Sequence, residues 1–255
     1  MSITKSICQR APVTEPPDCG LLLIGHGSQR SDGPNAQLVA QADHLRKSKL
    51  FTRVEGAVLY GEPNVASALK ALGDHPVHVV PMFMCDGLFT RKIIPACIED
   101  ARLEGQDITY GPPVGLSEGL SRLIATRITS GLSKNQLAGK DVAVVLVGHG
   151  STASDASWQA TERHAQRLRK AAEFKSVTTA YLDQNPKLAD ILTSLSGPVS
   201  VVGLFVADGL HAGDDIPALI TATGKAEDIC YLGAIGSDAG MVDLVVRQVS
   251  PGLAQ

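Results

Sequence analysis

The 255-residue chain lacks several features that would assign a protein to a familiar class at once. With 23 basic and 26 acidic residues its formal net charge is −3, so it has no broad positive field of the kind that binds nucleic acid or an anionic membrane surface. No apolar run in the sequence reaches the length needed to cross a bilayer. These absences predict a protein with no nucleic-acid partner and no membrane partner.

Paired cysteines and phosphate-binding motifs are missing as well. The five cysteines have neither CxxC nor zinc-ribbon spacing, which favours reduced thiols in a cytoplasm. Residues 1–19 lack the apolar centre of a signal peptide, and we interpret them as a loose leader. The sequence contains no GxGxxG after its first predicted strand, no GxxxxGK[ST] and no GxSxG. We therefore expect a cytoplasmic protein without an organic cofactor.

An internal repeat is the strongest feature that the sequence does contain. Residues 21–28 read LLLIGHGS, and residues 144–151 read VVLVGHGS. Farther along, the triplet Asp-Gly-Leu occurs at 86–88 and at 208–210, and each copy is followed by Ile-Pro-Ala. Because the matches keep the same order in both halves, the sequence predicts two lobes with one backbone plan.

Each half alternates short apolar runs with stretches of helical period. The predicted strands lie near 20–25, 54–60, 77–83 and 107–111, and near 142–147, 177–182, 199–205 and 229–233; the first half has predicted helices near 33–48, 64–73, 91–104 and 116–131. Apolar strands separated by helices are typical of parallel sheets covered on both faces. We predict an α/β fold with two similar flavodoxin-like or Rossmann-type lobes, at 20–135 and 136–255. The lobes would be related by a pseudo-two-fold axis, with the site in the cleft between them.

Three histidines fall at predicted strand ends. His26 and His149 each stand in Gly-His-Gly-Ser after the first strand of a lobe, where flanking glycines such as Gly148 allow a sharp turn and the approach of a large ligand. His211 follows the third strand of the second lobe, so it should share a rim with His149. Two neutral imidazoles could bind a divalent ion there and accept protons that it displaces. A turn histidine held by its neighbours, and a helix cap at His211, stay open as structural alternatives.

The first lobe lacks part of this arrangement. Phe89 occupies the position of His211, and its ring cannot ligate a metal but can stack on a planar ligand. After the second strand, Glu62 aligns with Asn185, and Asp183 is the nearest carboxylate in the second lobe. A carboxylate at this position suits proton removal or a weak metal contact, although a solvated loop acid is an equally ordinary interpretation.

Other polar residues give weaker signals. His44 and His164 fall in the first helix of each lobe, where we expect solvated faces and no functional role. A hydrolase with His26 or His149 as its base is a third hypothesis. It lacks a convincing nucleophile, because the serines of the two GHGS motifs are too close in sequence to those histidines to imply the geometry of a triad.

The ordered set of motifs resembles the sirohydrochlorin chelatases of the CbiX and CbiK type, class II chelatases related in fold to protoporphyrin ferrochelatase. The markers are GHGS at 148–151, GLH at 209–211 and DDIP at 214–217, within a resemblance that spans residues 20–250. It implies ATP-independent insertion of Co²⁺ or Fe²⁺ into sirohydrochlorin on the way to cobalamin or sirohaem, with the metal ion as substrate. Imidazole would accept Ni²⁺ as well. Short family members pair as homodimers, so a fused two-lobed chain is expected to be a monomer.

The resemblance also suggests roles for particular residues. It implies that His149 and His211 hold the metal and act in catalysis, and that Glu62 is the family's acid. We expect substrate contacts from four further residues: His26, Gly148, Ser151 and Phe89. The departures at Phe89 and Asn185 leave an alternative open, a non-catalytic tetrapyrrole or metal carrier derived from a chelatase.

Overall fold

A computed structural model describes residues 19–28 and 33–249, so that the expected leader lies outside the described residues except for Cys19. The chain forms two four-stranded sheets. The first contains β1 (Gly20–Gly27), β2 (Arg53–Tyr60), β3 (Val77–Pro81) and β4 (Ile108–Tyr110), and the second contains β5 (Ala143–Gly148), β6 (Ser176–Tyr181), β7 (Val199–Gly203) and β8 (Ile229–Ala234). The strand orders are β2-β1-β3-β4 and β6-β5-β7-β8, and every pairing is parallel. The predicted α/β class is confirmed.

Eight α-helices connect or follow the strands in the described ranges: α1 (Gly33–Ser48), α2 (Val65–Leu72), α3 (Ile94–Ala101), α4 (Glu118–Lys134), α5 (Ala156–Ala171), α6 (Leu188–Ser194), α7 (Ile216–Ala222) and α8 (Met241–Val249). A π-helical turn precedes α3 at Phe89–Ile93, and another precedes α7 at Leu210–Asp215. Within the part of the chain that the structure covers, no helix is both long and apolar enough to cross a membrane.

The cores form where helices cover apolar strands. All six residues of β5 are buried, as expected for a central parallel strand with both faces covered. One face of the second sheet packs Val145 and Val147 against Leu188 of α6 and Ile216 of α7. The first sheet repeats this arrangement with its own helices α2 and α3.

The compact units differ from the sequence repeats by their last helices. The second unit is Gly115–Asp238, and the first comprises the described residues up to Val114 together with those from Ala239 onward. Helix α4 therefore packs on α5, β7 and β8 of the second unit, and α8 packs on α1 of the first. The boundaries 20–135 and 136–255 describe the repeat in the sequence and stay a prediction. In the packed units, α4 from the first repeat belongs to the second unit, and α8 from the second repeat belongs to the first unit.

The strand order places the candidate site. The chain passes from β5 to β6 on one side and then to β7 on the other side of β5, which makes the carboxyl ends of β5 and β7 a topological switch point. Ligands of open α/β sheets bind in the crevice at such a point. Val147 of β5 is paired with Gly203 of β7, so the loops that follow these two strands begin side by side.

Candidate metal centre in the second unit

The backbone around His149 is fixed by its neighbours. Gly150 has φ +81°, a left-handed conformation that favours glycine, and a Cβ added there would lie 2.7 Å from Cγ of Gln184. The backbone N–H groups of Leu182 and Asp183 both donate to the carbonyl oxygen of His149, at 3.2 and 2.9 Å. These bonds tie the end of β5 to the loop that follows β6, and they fix the backbone from which the imidazole projects.

His211 is placed by the π-helical turn that precedes α7. The backbone N–H of Ile216 bonds to the carbonyl of His211, which closes the wide turn. π-helical turns are rare and occur frequently at functional sites. The turn brings the carboxylate of Asp215 to the His211 ring, with Nδ1 and Oδ2 2.8 Å apart.

The two imidazoles meet through their Nε2 atoms. The Nε2 atoms of His149 and His211 are 3.3 Å apart, with the ring planes at 89° and the centroids 4.6 Å apart. Nδ1 of His149 lies 3.0 Å from the carbonyl oxygen of Gly150 and 3.2 Å from Oδ2 of Asp183. Since both Nδ1 atoms face acceptors, they carry the ring protons in the neutral imidazoles. The unprotonated Nε2 atoms are then close together, an arrangement that a cation bound to both stabilises.

The spacing of the pair suits a first-row divalent ion. Nitrogen ligands that each lie about 2.0–2.1 Å from one ion, and 3.3 Å from each other, subtend an angle of roughly 105–110° at the metal, near the tetrahedral value. The side chains are 43% and 44% exposed, so an ion can reach them from solvent. Among the described residues no cluster of three or more His, Cys, Asp or Glu side chains could hold a metal. Two imidazoles leave coordination positions open, unlike a structural zinc site with four protein ligands.

Gly148 and Ser151 are engaged by the protein itself. A Cβ at Gly148 would lie 2.5 Å from Oγ1 of Thr161 and 3.3 Å from the ring of Tyr181, so the glycine is needed for packing beneath the site. Ser151 donates its backbone N–H to Oε1 of Gln184, and its hydroxyl accepts a bond from the N–H of Ala153. Their predicted contacts with a substrate stay predictions.

The first unit has phenylalanine and tyrosine side chains around its GHGS histidine, where the second unit has mostly polar side chains. His26 ends β1, is exposed, and donates from Nδ1 to the carbonyl of Gly27. The ring of Phe89 lies against it with centroids 4.8 Å apart at 80°, which is the relation that His211 has to His149. Tyr60 and Phe83 complete the group, which we call the aromatic cluster: His26, Tyr60, Phe83 and Phe89. The expectation that Phe89 stands where the second lobe has His211 agrees with this geometry.

Glu62 lies in the first unit at the exit of β2. Its exposed carboxylate accepts bonds from the backbone N–H and the side-chain amide of Asn64, both at 2.9 Å, next to the start of α2. The aligned residue Asn185 is exposed after β6. The catalytic role of Glu62 stays a prediction.

The structure also corrects one prediction and adds residues that the sequence did not single out. His44 is exposed, but His164 is fully buried, so the prediction of a solvated face was wrong for His164. Its Nδ1 accepts from the hydroxyl of Ser121 on α4, and its Nε2 donates to the carbonyl of Gly115, each at 2.8 Å. Burial lowers the pKa of His164 to about 4. The sequence could not show this, because the face of α5 is covered by a helix from the other half of the repeat.

Comparison with known proteins supplies the family. The CbiX family model matches residues 20–131 and 143–251, one copy in each half of the chain. The chain belongs to the CbiX family. One relative is the probable sirohydrochlorin cobaltochelatase of Halobacterium salinarum, which is 28% identical over an alignment that covers 90% of each chain. The sirohydrochlorin cobaltochelatase of Priestia megaterium is 24% identical and covers 67% of this chain and 56% of its own length.

Solved structures show that the fold is that of CbiX-type chelatases. SirB from Bacillus subtilis with Fe³⁺ superposes with a TM-score of 0.77 at 21% identity, covering 93% of this chain and 96% of SirB. SirB from Bacillus subtilis subspecies spizizenii in complex with cobalt gives 0.74 at 19% identity, covering 92% and 95%. CbiX described as the terminal enzyme of siroheme biosynthesis in denitrifying bacteria gives 0.76 at 24% identity, covering 91% and 98%.

Proposed function

We propose that this CbiX-family chain is a cytoplasmic chelatase that inserts Co²⁺ or Fe²⁺ into sirohydrochlorin without ATP, in the synthesis of cobalamin or sirohaem. The observation that carries the proposal is the pair of Nε2 atoms, 3.3 Å apart, at the switch point of the second unit. The names of the relatives from Halobacterium salinarum and Priestia megaterium support the choice of sirohydrochlorin.

The His149–His211 pair would bind the metal ion transiently. Neutral imidazoles bind first-row divalent ions but neutralise none of their charge, and two of them leave the other coordination positions to water. Water ligands can be replaced one after another by the pyrrole nitrogens of the macrocycle. A substrate ion has to leave, so a small ligand set suits delivery better than a closed cage does.

The same pair can take up protons. Metallation removes two N–H protons from the macrocycle as two nitrogen–metal bonds form, while the bonds from Nε2 of His149 and His211 to the ion break. The vacated Nε2 atoms can then share one of the protons, and the other passes to water. Imidazole suits this step because it accepts and releases protons near neutral pH. Glu62 is the candidate for a further proton acceptor.

The aromatic cluster of the first unit is a candidate contact for the flat macrocycle. Tyr60 and His26 are exposed, and Phe89 is partly exposed beside them. Aromatic rings stack on planar π-systems, and this contact depends on shape rather than on metal. We therefore propose that the second unit handles the ion and that His26 and Phe89 contact the tetrapyrrole. Either Co²⁺ or Fe²⁺ fits two imidazoles, and so does Ni²⁺.

An anaerobic metallation assay tests the proposal. Purified full-length chain is mixed with sirohydrochlorin and Co²⁺ or Fe²⁺, and the absorbance change is followed against the uncatalysed rate. We expect acceleration by the wild type, its loss in His149→Ala and His211→Ala, and its retention in His44→Ala, whose imidazole is exposed on α1. No acceleration by the wild type would contradict the proposal.

A carrier derived from a chelatase is the second candidate. Phe89 and Asn185, which replace a histidine and an acid of the family pattern, are the observations in its favour. Tight binding of sirohydrochlorin, measured by fluorescence or absorbance titration, together with metallation at the uncatalysed rate, would support the carrier and exclude the chelatase.

A further inference from the structure

Two carboxylates stand behind the imidazoles of the second unit, on the side away from the Nε2 atoms. We infer that Asp215 is a positioning residue that holds His211 with its Nε2 lone pair towards the metal, and that Asp183 has a smaller effect through its negative charge beside His149. This inference rests on the proposed function and concerns how the two histidines that would bind the metal are held in place.

Asp215 has the stronger contact. Its Oδ2 lies 2.8 Å from Nδ1 of His211, and the two residues are four apart on the helical turn, where side chains share a face. A carboxylate accepts but does not donate, so the bond requires the proton on Nδ1 and leaves Nε2 as the ligating atom. Ligating histidines commonly give their other N–H to such a partner, which fixes the tautomer and makes the ligand nitrogen more basic.

Asp183 acts on a histidine that already has a partner. Nδ1 of His149 donates to the carbonyl of Gly150 at 3.0 Å, and Oδ2 of Asp183 lies 3.2 Å from the same nitrogen. The carbonyl alone would keep the tautomer, so the contribution of Asp183 is its charge. Asp215 and Asp183 together balance the two positive charges of a divalent ion, without ligating it.

The first unit shows what replaces these groups where the second imidazole is missing. The isolated bridges Val58 to Asn64 and Tyr181 to Lys187 fix the correspondence of the two loops, in which Tyr60 takes the place of Asp183. On the π-helical turn Ile93 takes the place of Asp215, just as Phe89 takes that of His211. All three changes replace a polar or charged group by a less polar one. Both units have the π-helical turn, but only the unit with two facing imidazoles has the two carboxylates.

The experiment compares Asp215→Ala, Asp215→Asn and Asp183→Ala in the full-length chain with Asp214→Ala as the matched control. Asp214 is the adjacent exposed carboxylate on the same turn, and it takes part in none of the hydrogen bonds of either imidazole. Binding of Co²⁺ alone is measured by calorimetry and by the visible absorption of the bound ion. The Michaelis constants for Co²⁺ and for sirohydrochlorin are then measured separately in the metallation assay.

We expect Asp215→Ala to weaken Co²⁺ binding by about 10- to 100-fold, to change the visible spectrum of the bound ion, and to raise the Michaelis constant for Co²⁺ but not that for sirohydrochlorin. Asp215→Asn should recover part of the loss, because an amide oxygen still accepts from Nδ1–H. Asp183→Ala should lose less than Asp215→Ala, and Asp214→Ala should match the wild type.

Equal losses in Asp215→Ala and Asp214→Ala, or wild-type Co²⁺ binding in Asp215→Ala, would overturn the inference. If that happens while the wild type still accelerates metallation, the proposed function stands without it. If instead Asp215→Ala loses Co²⁺ affinity but the wild type does not metallate sirohydrochlorin, the positioning role is supported and the proposed function fails.

Discussion

The direction of the His149 side chain depends on the glycine that follows it. Gly150 combines φ +81° with close neighbours, whereas Gly197 has φ +77° and no atom within 4 Å of an added Cβ. The two glycines therefore carry a similar backbone strain when replaced by alanine, but only one of them also meets a steric clash. This pair of positions separates the two effects.

We expect Gly150→Ala to lower the free energy of unfolding by about 2–4 kcal/mol and to weaken Co²⁺ binding about tenfold, since the clash with Gln184 displaces His149. Gly197→Ala should cost about 1 kcal/mol and leave Co²⁺ binding as in the wild type. Urea unfolding and calorimetric titration measure both quantities. Equal effects of the two variants on Co²⁺ affinity would count against the positioning of His149 by this turn.

The two histidines of the candidate metal centre could be predicted from the sequence, but their hydrogen-bond partners could not. His149 and His211 each follow an apolar run, and parallel strands end at a common edge, so their proximity followed from topology. The roles of Asp183 and Asp215 depend on which ring nitrogen each carboxylate reaches. That is decided by the rotation of each imidazole, which the sequence does not show, although the four-residue spacing of His211 and Asp215 is compatible with a contact on a helical turn.

Helix α4 is joined to the second unit by a buried polar contact as well as by apolar side chains. Ser121 of α4 donates to His164 of α5, whose other nitrogen is bonded to Gly115. Both bonds need the neutral imidazole with its proton on Nε2. Protonation of His164 therefore opposes the packing of α4 on α5.

The stability of the chain should depend on pH through His164. The pKa of His164 is lowered from 6.5 to about 4 in the folded state, so between these values the unfolded chain binds a proton that the folded chain does not. The contribution of neutral His164 to the free energy of unfolding is fully present above pH 6.5. It is lost as the pH falls towards 4, by up to about 3 kcal/mol. Urea unfolding at several pH values should show a weaker dependence in His164→Gln, whose amide can make both bonds. The same slope in both proteins would contradict this account.

The strands and most helices could be predicted because each carries its own apolar pattern. β2 and β7 begin within one residue of the expected positions, and α1 has the predicted ends. The partner of α4 could not be predicted, since Leu120, Ile124 and Ile128 require an apolar surface but do not specify which sheet supplies it. The sequence repeat favours the sheet of its own half, whereas the structure places α4 on the other.

The exchange of helices predicts how the chain can be divided. A fragment of residues 115–238 keeps α4 on its sheet, while a fragment of residues 136–255 exposes the surface that four buried side chains cover: Leu120, Ile124, Ile128 and Leu132. Each such side chain contributes roughly 1.5–3 kcal/mol when buried. Thermal unfolding followed by circular dichroism should give the higher Tm for 115–238. An equal or higher Tm for 136–255 would show that the repeat, and not the packed unit, is the stable piece.

The two halves of the molecule share one fold but differ in the side chains at the ends of their strands. Both retain the GHGS histidine at the end of the first strand and the π-helical turn after the third. In the second half this histidine faces another imidazole, that of His211, whereas in the first half it faces the ring of Phe89. In the proposed function, the metal ion therefore binds to the second half and the planar ligand contacts the first.

This division of roles can be tested by titrating the full-length chain with Co²⁺ and following the visible absorption of the bound ion. We expect saturation at one ion per chain, loss of binding in His149→Ala and in His211→Ala, and retention in His26→Ala, because the ring that faces His26 is Phe89 and not a second imidazole. Co²⁺ binding that survives in His149→Ala and disappears in His26→Ala would place the metal in the first unit and rule out a metal site at His149 and His211.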